Sequence, residues 1–199
     1  MHNASIQPRQ SLARQICGAL FRLRLWVIAG LLMCASQTAH ADPSKEYEIK
    51  AAFLYNFTQF VDWPTNSFAD ANAPLTIGVL GNDPFGDSLE EIVHGEKVDG
   101  HPLVVKHFQA GDVIKECHIL FIGQSESKRM NEIFADLKGR CILTVGETDG
   151  FAQNGGMIRF VTEKNKIRLR INVDAAKAVN LSLSSRLLRL ADIVGTQKE

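Results

Sequence analysis

Two short apolar runs constrain what this chain can fold into more than any other feature. They are Cys117-His118-Ile119-Leu120-Phe121-Ile122-Gly123 and Cys141-Ile142-Leu143-Thr144-Val145-Gly146. Between them Met130, Ile133, Phe134 and Leu137 recur at i, i+3, i+4 and i+7, which predicts a helix over Lys128 to Leu137. A strand, a helix and a strand joined by a right-handed crossover give two parallel strands that are commonly adjacent. The same rhythm runs upstream, with strands expected at Leu75 to Leu80 and Leu103 to Phe108 and a helix at Asp87 to Val93. The expected fold is α/β, a mainly parallel sheet with flanking helices in a Rossmann-like three-layer arrangement.

Both ends of this unit depart from the rhythm. Ser44 followed by Glu46 and Glu48 reads as a helix start, and Tyr47 to Val61 as a helix whose apolar residues occupy more than one stripe. Downstream, residues 156–163 and 166–172 read as an antiparallel hairpin around Lys164-Asn165. A two-residue turn would set Phe160 against Leu169, Ile158 against Ile171, and Arg159 against Arg170. Asn172 is placed to cap a short helix from Asp174 to Val179. A second helix is expected over Leu183 to Val194, with Leu183, Leu187, Leu190 and Val194 inward.

Charge divides the chain in two. Lys and Arg balance Asp and Glu at 22 each, yet residues 1–41 hold four arginines and no acid, leaving 18 basic against 22 acidic residues after them. In that first segment the apolar run Leu25 to Ala35 is followed by Ala39-His40-Ala41. A basic start, a short apolar core and an Ala-x-Ala step describe a secretory signal peptide cleaved before Asp42. The expectation is therefore a signal peptide at 1–41 and a single exported, periplasmic α/β domain at 42–199. Its slightly acidic body argues against a nucleic-acid partner, which calls for a basic face.

An oxidising compartment gives meaning to the two cysteines beyond the signal, Cys117 and Cys141, which open neighbouring strands at the same end. A disulfide between them is expected, closing a loop worth roughly 3.5 kcal/mol in the chain-entropy account. A structural bond is favoured over a redox-sensitive one. Cys117-His118 does not read as a nucleophile pair, because neighbours on a strand face opposite ways.

Other chemistry is thin. Gly78, Gly81 and Gly86 follow a strand and precede a helix, but the Lys-Ser/Thr of a phosphate loop is missing and Asn82-Asp83-Pro84 makes a turn by itself. His94, His101, His107 and His118 lack metal-ligand spacing, and helix capping accounts for Asp83 and Asp87. No catalytic residue, metal or cofactor is expected. Arg159 opposite Arg170, with Arg168 nearby, is a like-charge cluster that needs a carboxylate from Glu163 or a helix, or else an acidic partner segment or small anionic ligand.

The segments Tyr47-Glu48-Ile49-Lys50-Ala51-Ala52-Phe53-Leu54-Tyr55-Asn56-Phe57 with Trp63-Pro64, Cys117-His118-Ile119-Leu120-Phe121, Gly155-Gly156-Met157-Ile158-Arg159-Phe160 and Ile171-Asn172-Val173-Asp174-Ala175-Ala176 through Leu187-Leu188-Arg189-Leu190-Ala191 resemble the YfiR family of bacterial periplasmic proteins. The resemblance runs from about Glu46 to Val194. It implies a non-catalytic, disulfide-bonded homodimer that represses an inner-membrane diguanylate cyclase through its periplasmic sensor domain, lowers cyclic-di-GMP and biofilm output, and is itself titrated by an outer-membrane lipoprotein. A periplasmic module that binds a small ligand and reports to a receptor or transporter is the alternative.

Overall fold

Helix α1 (Pro43–Phe60) begins the part of the chain that the computed structural model describes, residues 43–195. The signal peptide expected at 1–41 lies outside these residues. Ser44 falls within the first turn of α1 rather than before it, since the helix already runs from Pro43, whose fixed φ suits a first turn. Ala51, Leu54 and Phe57 of α1 are fully buried. The helix ends at Phe60, and β1 (Val61–Asp62) leads into Trp63-Pro64.

The sheet that α1 covers is built from β2 (Leu75–Leu80), β3 (Lys97–Val98), β4 (His101–Phe108), β5 (Ile119–Ile122), β6 (Leu143–Gly146), β7 (Ile158–Glu163), β8 (Lys166–Ile171) and β10 (Ala191–Ile193), in the order β10-β8-β7-β6-β5-β2-β4-β3. A separate antiparallel pair joins β1 to β9 (Ser182–Leu183). Strands β4, β2, β5, β6 and β7 are mutually parallel, with Ile119 beside Leu143 in the expected crossover unit. Every residue of β2, β5 and β6 is buried, as central strands covered on both faces require.

Alternation sorts the side chains between two cores. Ile77, Val79, Ile119, Phe121, Leu143 and Val145 meet α1 and α2 (Ser88–Val93). On the other face Leu120 and Ile122 meet Met130, Ile133 and Leu137 of α3 (Met130–Asp136) and its end. The chain enters α3 through a 3-10 turn at Gln124–Arg129. Gly78 belongs to the second face, where a Cβ would stand 2.8 Å from Cys117 Sγ and 2.9 Å from Phe108 Cε2. Glycine lets strand, ring and thiol pack at that distance.

The hairpin has the register its pattern demands: Ile158 opposite Ile171, Phe160 opposite Leu169, Arg159 opposite Arg170 and Val161 opposite Arg168. Lys164 and Asn165 hold φ of 51° and 60°, the double left-handed turn that suits a two-residue hairpin loop. Asn172 caps α4 (Val173–Lys177), its side chain accepting from Ala175 N at 3.0 Å. The helix expected over 183–194 is corrected. Only α5 (Ser185–Leu188), capped by Ser184, is helical there, and Ala191–Ile193 forms β10, parallel to β8. Leu187 alone of the supposed inward leucines is fully buried, while Leu190 is 68% exposed. Pairing with the open edge of β8 outweighs the local helical spacing.

Candidate functional site

In open α/β sheets the crevice for ligands lies at the carboxyl ends of the strands, where successive connections leave to opposite sides. That point here is between β2 and β5. From β2 the chain moves outward to β4, then returns to β5 on the other side. The two loops meet closely: Ser125 Oγ accepts from Asn82 N at 3.0 Å and lies 3.4 Å from Glu126 Oε1. Gly81, at φ +88°, leaves no space for a Cβ beside Ser125 and Glu126. Glu126 is buried, with its other oxygen 2.9 Å from Arg129 Nη1. A buried carboxylate thus stands where a bound phosphate would need donors, which argues against a phosphate role for the glycines.

Next to that crevice is a connected set of charged groups at the carboxyl end of β6. Lys50, 2% exposed, reaches Glu46 at 2.7 Å and Glu147 at 2.5 Å, and Tyr47 Oη donates to Glu147 Oε1 at 2.9 Å. Thr162 Oγ1 donates to Glu46 at 2.8 Å, tying α1 to the hairpin. Burial, together with the charge and hydrogen bond of Glu147, raises the Tyr47 phenol above its ordinary range. Burial also works to raise Glu46, but hydrogen bonds from Lys50 and Thr162 and the Lys50 charge outweigh it and hold the carboxyl below its usual value. Arg159 continues the set, paired with Asp149 and donating from Nε to Glu147 O at 3.4 Å.

The expected arginine cluster is therefore divided. Arg159 and Arg170 are direct cross-strand partners, yet Arg159 is buried against Asp149, whereas Arg170 and Arg168 share Glu163 at 3.4 and 4.0 Å. Each arginine has an internal carboxylate, so the pair does not by itself require an outside anion. Arg168, 59% exposed at its side chain, is the most open of the three.

The disulfide expected between Cys117 and Cys141 is absent from this structure; both are free thiols. Strand register brings the two to one small cleft, which both line with Ser67 and Arg140, and the chain bends at His118, before β5 begins. Cys117 therefore turns into the α3-side core and donates to Ile119 O, while Cys141 packs with the α1-side core and donates to Val179 O, each at 3.1 Å. Burial pushes the Cys117 thiol up to about 12, which keeps it protonated and unreactive at neutral pH. His118 accepts from Thr76 N through Nδ1 at 3.1 Å and holds Ser67 O through Nε2 at 3.1 Å, so its ring is spent on the backbone. Asp83 and Asp87 also differ from the capping expectation. Asp83 Oδ1 accepts from Phe85 N at 2.7 Å in a tight turn, and Asp87 stands at the N-cap of α2 without a side-chain cap bond.

A cleft of about 430 Å³ opens on the α3 side, with Asp112, Ile114, Arg129, Glu132, Asp136 and Arg140 among its lining. Arg129 is clasped by Glu126 and Glu132, each at 2.9 Å. The sequence did not single out this cleft or the Lys50 set. Lys50 carried a readable signal, since it lies four and seven positions before the core residues Leu54 and Phe57 and so shares their helix face.

Residues 47–192, well over half of the chain, match the YfiR/HmsC-like family. The chain belongs to this family. The match spans the crossover sheet, the hairpin and the Lys50–Glu147 set, so those features belong to the family domain. The family is one of periplasmic, non-catalytic regulators associated with cyclic-di-GMP signalling. No individual curated protein matches the chain. Among the described residues no helix is long and apolar enough to cross a membrane.

Proposed function

We propose that the protein is an exported repressor that binds the periplasmic sensor domain of an inner-membrane diguanylate cyclase and holds it in its inactive arrangement. The observation that carries this reading is the family match over 47–192. Repression follows from differential affinity: a protein that binds the inactive sensor more tightly than the active one shifts the cyclase toward the inactive state. In this reading residues 1–41 are a cleaved signal peptide and the working form is a homodimer. An outer-membrane lipoprotein sequesters it, and the exposed Arg168 with the half-buried Arg170 beside it offers a face for an acidic segment of a partner. Deleting the gene should raise cellular cyclic-di-GMP and biofilm formation, and re-expression should reverse both. An unchanged cyclic-di-GMP level in cells that express the protein would refute the proposal.

The 430 Å³ cleft favours a second reading, since it is within the range of small-ligand sites, about 300–1,000 Å³. A ligand-occupied module would raise its melting temperature with a nucleotide or amino acid by mass action. Melting unmoved by such a panel, together with capture of a cyclase from membranes, separates the repressor from the ligand module.

A further inference from the structure

We infer that Asp83, Glu90 and His107 form a binding site for a divalent first-row metal ion of the zinc type. The three residues come from three elements: Asp83 from the turn after β2, Glu90 from α2 and His107 from β4. Their ligand atoms all lie within 4.8 Å of one another. His107 Nε2 is 2.9 Å from Asp83 Oδ2 and 3.4 Å from Glu90 Oε1. Ligands bound at about 2.0–2.2 Å stand at most roughly 4.4 Å apart across the ion, so small side-chain movements complete the geometry.

Two further observations favour a cation here. Asp83 is already aimed: Phe85 N fixes its Oδ1 at 2.7 Å, and Asn82 N before it is held by Ser125 Oγ, which leaves Oδ2 facing the imidazole. Glu90 from α2 turns its Oε1 toward the same imidazole nitrogen, so both carboxylates converge on His107 Nε2. At 3.4 Å from His107 Nε2, Glu90 Oε1 is beyond an ordinary hydrogen bond, and a metal ion between the three groups would bond it directly. Two carboxylates with a neutral imidazole also balance a divalent charge.

The donor set selects the class of ion. One imidazole and two carboxylates with no thiolate suit zinc or its first-row neighbours, and the imidazole disfavours magnesium and calcium. The His107 and Glu90 side chains are 43% and 45% exposed, so water can complete the coordination. Bound metal would link α2 to the β2 turn and to the carboxyl end of β4.

Titration of the purified protein with ZnCl2, followed by calorimetry and thermal melting, tests the site. The expected result is saturable binding of one ion per chain, a raised melting temperature and no competition from excess Mg2+. His107→Ala should weaken the affinity at least about tenfold, as should the double variant Asp83→Asn/Glu90→Gln, which keeps the size of both side chains. Circular dichroism of both variants confirms that they fold. Absence of saturable zinc binding, or wild-type affinity in either folded variant, would overturn the inference. A thiolate charge-transfer band on loading with Co2+ would do the same by placing the ion at a cysteine.

Discussion

The two ends of the parallel sheet bury polar groups in opposite ways. At the carboxyl end, Lys50, Glu46 and Glu147 are charged groups that hold one another, with Tyr47 and Thr162 donating into the set. The amino end instead buries neutral groups that hold the backbone: His118 bridges Thr76 N and Ser67 O beneath the ring of Phe68, and both cysteine thiols donate to carbonyls. The difference lies in what a single substitution leaves behind. Removing one charge strands its partner out of water, whereas removing a neutral group strands one amide or carbonyl.

Lys50→Met should therefore have the larger effect, a loss of about 3–5 kcal/mol of unfolding free energy, because Glu147 and Glu46 then face each other without a cation. Adding Glu147→Gln should return more than half of that loss, since the amide still accepts from Tyr47. Urea denaturation of the two variants measures both values. A double variant no more stable than Lys50→Met would show that the lysine acts by packing over Tyr47, 4.3 Å from its ring, and not by charge. At the other end His118→Leu should cost about 1–3 kcal/mol, the penalty for leaving Thr76 N buried without an acceptor. A cost equal to that of Lys50→Met would abolish the distinction between the ends.

Acid separates the two ends without mutation. Burial lowers the pKa of His118 from its ordinary 6.5, so below 6.5 the unfolded chain takes up a proton that the folded chain resists. This contribution is complete above 6.5 and is lost as pH falls from there toward the folded value. For Glu46, opposed by burial but held down by Lys50 and Thr162, the loss begins only below 4.5. Stability measured against pH should therefore fall first on account of the amino end. In His118→Gln the decline just below 6.5 should shrink, while the one below 4.5 remains. An identical profile in wild type and variant would mean that His118 does not titrate with unfolding.

Much of this architecture was legible because it depends on short-range pattern. The hairpin register follows from alternation on either side of Lys164-Asn165, and the crossover unit from the change of period between Cys117 and Val145. What escaped depends on distant partners. Nothing local distinguishes Leu183 to Val194 from a helix; the edge of β8 does, by taking Ala191–Ile193 as a strand. Register brings Cys117 and Cys141 to one small cleft, as the pattern implies, but the carbonyls of Ile119 and Val179 to which the thiols donate come from the fold and have no local signal. Lys50 and Glu147 are 97 positions apart, and Asp83, Glu90 and His107 have no motif spacing, so only the folded sheet brings either set together.

The smallest expected effect concerns charge pairs at the surface, and it sets the scale for the buried set. Glu163 faces Arg170 and Arg168 at 3.4 and 4.0 Å, but its side chain is 49% exposed, so water screens the attraction. Glu163→Gln should cost less than about 1 kcal/mol, the usual limit for exposed pairs. The cross-strand arginines give the experiment its force. If Arg159 were repelled by Arg170 and relieved through Glu163, the cost would exceed that limit. Arg159 has its own carboxylate in Asp149 and is turned toward Glu147 O, so the hairpin should tolerate the change, and high salt should leave the variant and the wild type equally stable.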